Sequence, residues 1–368
     1  MSSRRGFDRI IGQELAKRVL TKAVEANQPA HAYLFLGLQG TGKTATALEL
    51  ARALNCENAD EGNACGECAT CRAIEHGNSP DVRVWSPDGR DTKIEQMREM
   101  RHLARFSPIR GKWKVNIVEQ GDTLNEESAN CILKLVEEPP GYLVNILIYR
   151  NAAAVLPTIW SRCRLVRFTQ VPTDELAARL ARDFDVGEER ARFLATYAQG
   201  RPGTAIGLVG NDGFFEKRDT IVVTAAAVSS GKPWLSLKLA EVLRSSEDKE
   251  QEETADDDAD AEGAEALSET AQAVEVKRQK KSARDVVLES LDMLLVWYRD
   301  LLAAKVQGDG AAVVNSDRVD EIRTQSARYP DVRRLGNAVD AIIQTKRGIL
   351  GNGNSQILTE ALMMRLAV

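Results

Sequence analysis

HAYLFLGLQGTGKTATALELARAL, residues 31–54, decides the fold. It opens with Ala32–Leu36, an apolar run of strand length, and closes with ATALELARAL, whose alanines and leucines suit a helix. Between them stands GLQGTGKT, Gly37 to Thr44, which matches G-x-x-x-x-G-K-[ST]. Glycines let successive backbone N–H groups curl around an anionic oxygen, and the new helix adds its positive end. The pattern assigns Gly37, Gln39, Gly40, Thr41, Gly42, Lys43, Thr44 and Ala45 to a nucleotide-binding loop. Lys43 is expected to reach the β- and γ-phosphates, and Thr44 to offer its hydroxyl to Mg²⁺. A glycine turn with a chance lysine is the plainer alternative, and the flanking strand and helix argue against it. The motif implies that a nucleoside triphosphate binds; it says nothing of hydrolysis, and ATP or ADP with Mg²⁺ both fit it.

Four more apolar runs follow, at Val82–Trp85, Val115–Val118, Asn145–Tyr149 and Leu165–Phe168, with helix-like stretches between them. Alternation of this kind predicts a five-stranded parallel sheet with helices on both faces, an α/β nucleotide-binding domain over residues 1–170. From Thr173 the strand signals stop. Thr173 reads as an N-cap with Asp174 and Glu175 in the first turn, and Asp185 with Glu188 as a capping box for a second helix that Gly200 ends. These make a small helical domain, about 171–208. Phe214–Arg244, Ala283–Val306, Val332–Arg347 and Ser355–Leu366 then read as helices of an all-helical domain, 209–368.

Charge is unevenly spread. Glu247 to Glu265 holds eleven acidic residues and one lysine, a local charge of −10 in a chain of net −5, which leaves the remainder mildly basic. This acidic insert, about 245–276, reads as a solvated spacer that interrupts the helical domain. No apolar run is long enough to span a membrane, and the N-terminal residues lack an apolar signal core, so a cytoplasmic location is expected. The three histidines do not approach metal or triad spacing.

Four of the six cysteines, Cys56, Cys65, Cys68 and Cys71, fall in CENADEGNACGECATC with the spacing C-x8-C-x2-C-x2-C. Four thiolates so close together suit tetrahedral Zn²⁺, and a site with no open position is structural rather than catalytic. A disulfide pair is disfavoured in a cytoplasmic chain. An iron–sulfur cluster stays open on spacing alone. Cys131 and Cys163 are isolated.

A phosphate-loop ATPase also needs acidic residues at a second strand end: one to assist Mg²⁺, and typically a neighbour to polarise water. Here the run KVNIV leads into Glu119-Gln120 and then Gly121-Asp122. Glu119 is a candidate for assisting Mg²⁺, although it is one methylene longer than aspartate. Gln120 has no useful basicity, and Asp122 is displaced by two residues. The site is therefore expected to bind nucleotide and to cleave it poorly.

Together these segments resemble a known family. Gly12-Gln13, HAYLFLGLQGTGKT, the four-cysteine insertion, SANCILKLVEEPP (Ser128–Pro140) and LPTIWSRC (Leu156–Cys163) look like the bacterial DNA polymerase III clamp-loader subunits, in the family's order over roughly residues 5–205. The resemblance implies an AAA+ domain, a helical lid, a C-terminal oligomerisation collar, and a place in a five-subunit assembly that opens a sliding clamp and loads it onto primed DNA. It implies gamma/tau and delta subunits as partners. Gamma/tau members carry Asp-Glu where this chain has Glu119-Gln120, small hydroxyl residues where it has Tyr149-Arg150, and an arginine at the place of Gly203. These departures resemble the delta-prime branch; a gamma/tau-like motor ATPase is the alternative. On spacing alone, Arg162, Arg164 and Arg167 read as a solvated basic edge. The resemblance of Ser161-Arg162-Cys163 to the family's Ser-Arg-Cys motif implies instead that Arg162 is an arginine finger acting in trans.

Overall fold

The computed structural model describes residues 5–87, 94–228, 240–244 and 283–366. The acidic insert expected at about 245–276 lies outside the described residues. The chain divides into two compact units, Met1–Val209 and Gly210–Val368.

The first unit runs α1 (Glu14–Glu25), β1 (Ala32–Leu36), α2 (Lys43–Asn55), α3 (Ala69–Glu75), β2 (Val82–Trp85), α4 (Ile94–Leu103), β3 (Lys114–Val118), α5 (Glu126–Glu137), β4 (Leu143–Tyr149), α6 (Pro157–Trp160) and β5 (Arg164–Arg167). The sheet order is β2-β3-β4-β1-β5 and every neighbouring pair is parallel. Strands β3 and β4 are buried along their whole length, whereas β2 and β5, at the two edges of the sheet, each carry exposed residues. Alternate residues of β1 feed two apolar layers. Tyr33 and Phe35 join Leu20, Leu50 and Ile117 on the face covered by α1 and α2; Leu34 joins Met97, Met100 and Ile132 on the face covered by α4 and α5.

Three helices complete this unit: α7 (Thr173–Phe184), α8 (Glu188–Tyr197) and α9 (Pro202–Val209). Their caps differ from the expected ones. Pro172, not Thr173, precedes α7 at its N-cap, and Asp185 ends that helix in the left-handed region at φ 54° instead of starting the next; Gly187 caps α8. Proline in the N-cap place carries no side-chain acceptor, so a fixed φ and not a hydrogen bond sets the entry of α7. Helix α8 stops at Tyr197, before Gln199 and Gly200, both of which have positive φ.

The second unit holds α10 (Asp212–Val228), α11 (Ala283–Gln307), α12 (Val319–Arg328), α13 (Val332–Leu350) and α14 (Ser355–Leu366), with residues 240–244 also helical. Helix α11 buries Leu291, Leu294, Trp297, Tyr298 and Leu301. Asp300, wholly buried on the same helix, accepts the N–H groups of Val314 and Asn315, and so pins the turn before α12. Among the described residues no helix is long and apolar enough to cross a membrane.

Candidate nucleotide and metal sites

The phosphate loop leaves β1 at the carboxyl end of the sheet, where open parallel sheets place their ligand crevices. Gly40 and Gly42 have φ of 81° and 94°, a region where a side chain would strain the backbone. Gly42 is the residue before α2, so the turn aims that helix's first N–H groups into the loop. Lys43 is buried, and its ammonium donates to the carbonyls of Gly37 at 2.5 Å and Leu38 at 2.6 Å. Burial pushes it down to about 8; Asp122 works against that shift and Arg150 adds to it. Thr41 lies under the loop and donates to the Leu38 carbonyl.

The loop borders a cavity of about 470 Å³. Of the residues expected from the sequence, Gln39, Gly40, Gly42, Lys43, Thr44, Ala45 and Glu119 line it. Gly37 and Thr41 shape the loop from behind. The Thr44 hydroxyl donates to Glu119 Oε1 at 2.7 Å, so two hard oxygen ligands stand together at the helix start. That donor pair fits Mg²⁺, which takes oxygen ligands and shares them with phosphates. Gln120 is exposed and left-handed at φ 50°, where it caps a short turn. Asp122 is committed elsewhere: it accepts the N–H of Arg150 at 2.8 Å and of Asn151 at 3.0 Å, beyond the end of β4.

Spacing gave no sign of several contacts that hold the loop. Gln13 donates to the carbonyls of Thr41 and Thr169 and accepts from the Thr169 N–H, which ties the loop to the segment after β5. Gly203 N–H donates to the Gly40 carbonyl at 2.7 Å, and a Cβ on Gly40 would come within 2.3 Å of the Thr204 hydroxyl. Helix α9 therefore rests directly on the phosphate loop, and Gly203 and Thr204 line the cavity with Arg150. These contacts join residues far apart in sequence, and no local pattern encodes them.

The four cysteines converge. Their sulfurs all lie within 4.8 Å of one another, with Cys71 to Cys56 at 3.6 Å and Cys56 to Cys68 at 4.0 Å. A tetrahedral ion with ~2.3 Å bonds to sulfur holds its ligands about 3.8 Å apart, which this cluster matches. Backbone N–H groups of Cys65, Cys68 and Cys71 point at sulfurs of the set, as they do around a thiolate cluster. Gly66 turns the chain at φ 79° between Cys65 and Cys68. The Glu67 N–H brings Cys65 down to about 7, while burial pushes Cys56 and Cys71 up. A bound dication would reverse that rise by favouring thiolate. The insertion is docked through Asn63, which accepts the Phe7 N–H at 3.0 Å.

Arg162 is absent from the lining of the cavity. Strands β1 and β5 run parallel, with Tyr33 beside Arg164 and Leu36 beside Arg167. Arg162 thus stands at the amino edge of the sheet and Gly37 at the carboxyl edge, about 20 Å apart along the strands. It is half-exposed and pairs with Glu137 at 3.1 Å, at the end of α5.

The family described as DNA polymerase III, delta subunit, matches residues 12–172. The chain is 28% identical to DNA polymerase III subunit delta' of Bacillus subtilis over 96% of each protein. It is 25% identical to subunit tau of the same organism, over 98% of this chain and 61% of tau, so it spans less than two thirds of that relative. A solved gamma subunit-related protein from Thermotoga maritima aligns over 95% of this chain and 98% of its own, at 16% identity and a TM-score of 0.48.

Proposed function

Since the chain belongs to the delta-prime and gamma/tau family of DNA polymerase III clamp-loader subunits, we propose that it is the delta-prime-type stator of such a loader. It holds ATP or ADP with Mg²⁺ at residues Gly37–Ala45 without useful cleavage, and lends Arg162 to the nucleotide of a gamma/tau neighbour. One observation carries this reading. Among the described residues lining the cavity, Glu119 is the sole carboxylate, and it is engaged by the Thr44 hydroxyl. Gln120 supplies an amide where a base is needed, and the Asp122 carboxylate is consumed by two backbone N–H groups. Water has nothing in the cavity to take its proton.

The place of Arg162 supports the second half of the reading. At the opposite edge of the sheet it is out of reach of its own cavity, and an exposed guanidinium is suited to paired contacts with a phosphate on another chain. The partners are then gamma/tau and delta subunits, the sliding clamp, and primed DNA through the assembled complex. The four cysteines hold a structural zinc ion, α7–α9 act as the lid, and the second unit acts as the collar.

Nucleotide binding without turnover is the expected result for the purified chain. Fluorescent ATP and ADP bind in the presence of Mg²⁺, and Lys43→Ala weakens both by about 10-fold or more, the loss of a charged hydrogen bond. Phosphate release stays at background with primed DNA and clamp added. Steady turnover near about 1 s⁻¹, low in the enzyme range, and abolished by Lys43→Ala, would replace the stator with a gamma/tau-like motor.

A further inference from the structure

Ser86 follows β2 and lies outside every motif of the sequence. Its hydroxyl donates to Glu119 Oε2 at 2.7 Å, while Thr44 donates to Oε1 of the same carboxylate, also at 2.7 Å. Each oxygen of Glu119 thus has its own hydroxyl, one from the phosphate-loop helix and one from the neighbouring strand end. Ser86 is itself held in place. Its carbonyl accepts from Gln96 Nε2 of α4 at 3.2 Å, and the carbonyl of Trp85 just before it accepts the Glu119 N–H at 2.9 Å. The register of β2 against β3, with Trp85 beside Val118, brings Ser86 level with Glu119.

Glutamate has one more rotatable bond than aspartate, and so its carboxylate is less well placed to meet an ion beside Thr44. A hydroxyl on the second oxygen removes that freedom. We propose that Ser86 is a positioning residue which fixes the Glu119 carboxylate toward a Mg²⁺ ion shared with Thr44 and the bound nucleotide. Thr44 would ligate the ion through its oxygen lone pairs while its proton stays directed at Oε1, and the Ser86 bond to Oε2 would keep the carboxylate from swinging away. Partners that hold a ligating carboxylate from behind set metal affinity in this way.

This inference rests on the nucleotide reading, and the test separates the two. Fluorescent ADP is titrated into the full chain with Mg²⁺ absent and then across a Mg²⁺ series. Ser86→Ala is expected to leave metal-free ADP affinity within about twofold of the unaltered chain, and to raise the Mg²⁺ concentration for half-maximal enhancement by about 10-fold. Ser86→Thr, which keeps the hydroxyl, restores the original Mg²⁺ response. An unchanged Mg²⁺ response in Ser86→Ala overturns the role of Ser86 and leaves nucleotide binding standing. Equal loss with and without metal makes Ser86 a structural residue of the loop and overturns the role as well. Failure of the unaltered chain to bind ADP at all removes the nucleotide reading, and the assignment falls with it.

Discussion

On the arginine-finger proposal, replacing Arg162 with alanine is expected to slow ATP hydrolysis at an adjoining gamma/tau site by ~10³-fold or more, the range of arginine fingers elsewhere. Nucleotide binding by that neighbour should stay within a few-fold, because the finger matters most when charge develops on the transferring phosphoryl group. The variant should fold. Arg162 and Glu137 are each nearly half exposed, and an exposed ion pair contributes only about 0.2–1 kcal/mol. Arg162→Lys should fail to rescue, since an ammonium lacks the planar fork that bridges two phosphate oxygens. Single-turnover hydrolysis in a reconstituted loader of verified composition is the measurement. Rates unchanged by Arg162→Ala at the site beside this subunit would end the proposal.

The two halves of that proposal were not equally legible. The phosphate loop and the cysteine cluster are local in sequence, and both assemble where spacing put them. The sheet was equally plain, because five apolar runs of strand length admit few other arrangements. Strand ends were less so. β3 begins at Lys114, within the run KVNIV but outside the apolar stretch Val115–Val118; its buried ammonium donates to the carbonyls of Leu103 and Phe106 at the amino end of the strand. β4 starts two residues earlier than the run at Asn145 suggested, and β5 ends one residue before Phe168. Helix α12 was missed because VDEIRTQSAR is polar; it buries Ile322 and sets Gln325 to accept from the indole N–H of Trp297. Its reason for being helical lies on α11, 28 residues upstream.

The same distinction separates the residues of the nucleotide cavity. Lys43 and Thr44 announce themselves in a motif. Gln13 and Gly203 came into view only through the family resemblance and Ser86 not at all, since each acts by meeting a group more than 25 residues away: Gln13 at Thr41, Ser86 at Glu119, and Gly203 at Gly40. Asp122 carries the opposite lesson. Its displacement by two residues from the Gln120 position already told against a role as base, and the fold shows where its two oxygens go, to the backbone N–H groups of the turn after β4.

Removal of the metal should have the second large effect. Purified chain is expected to contain stoichiometric zinc, lost in Cys71→Ser and kept in Cys131→Ser. Cys56 follows the end of α2 and Cys71 lies within α3, so an ion held by them would tie the far end of the phosphate-loop helix to its neighbour. Without an ion, four sulfurs packed 3.6–4.0 Å apart at the closest pairs are held only by weak N–H···S and S–H···S contacts. Structural zinc sites bind with apparent free energies of about 10–16 kcal/mol, all of which counts toward folding when the unfolded chain holds no ion. The rest of the first unit retains its own core, so a part of that, on the order of 5 kcal/mol, should appear as lost stability. For a unit of this size the fall in Tm is then at least about 10 °C. Cys71→Ser and chelated unaltered chain should melt alike, because both lack the same ion. A chain that purifies with sulfide and visible charge-transfer absorption would put an iron–sulfur cluster at these cysteines. Melting unaffected by either treatment would strip the cluster of its structural role, and leave the docking of Asn63 on the Phe7 N–H to hold the insertion in place.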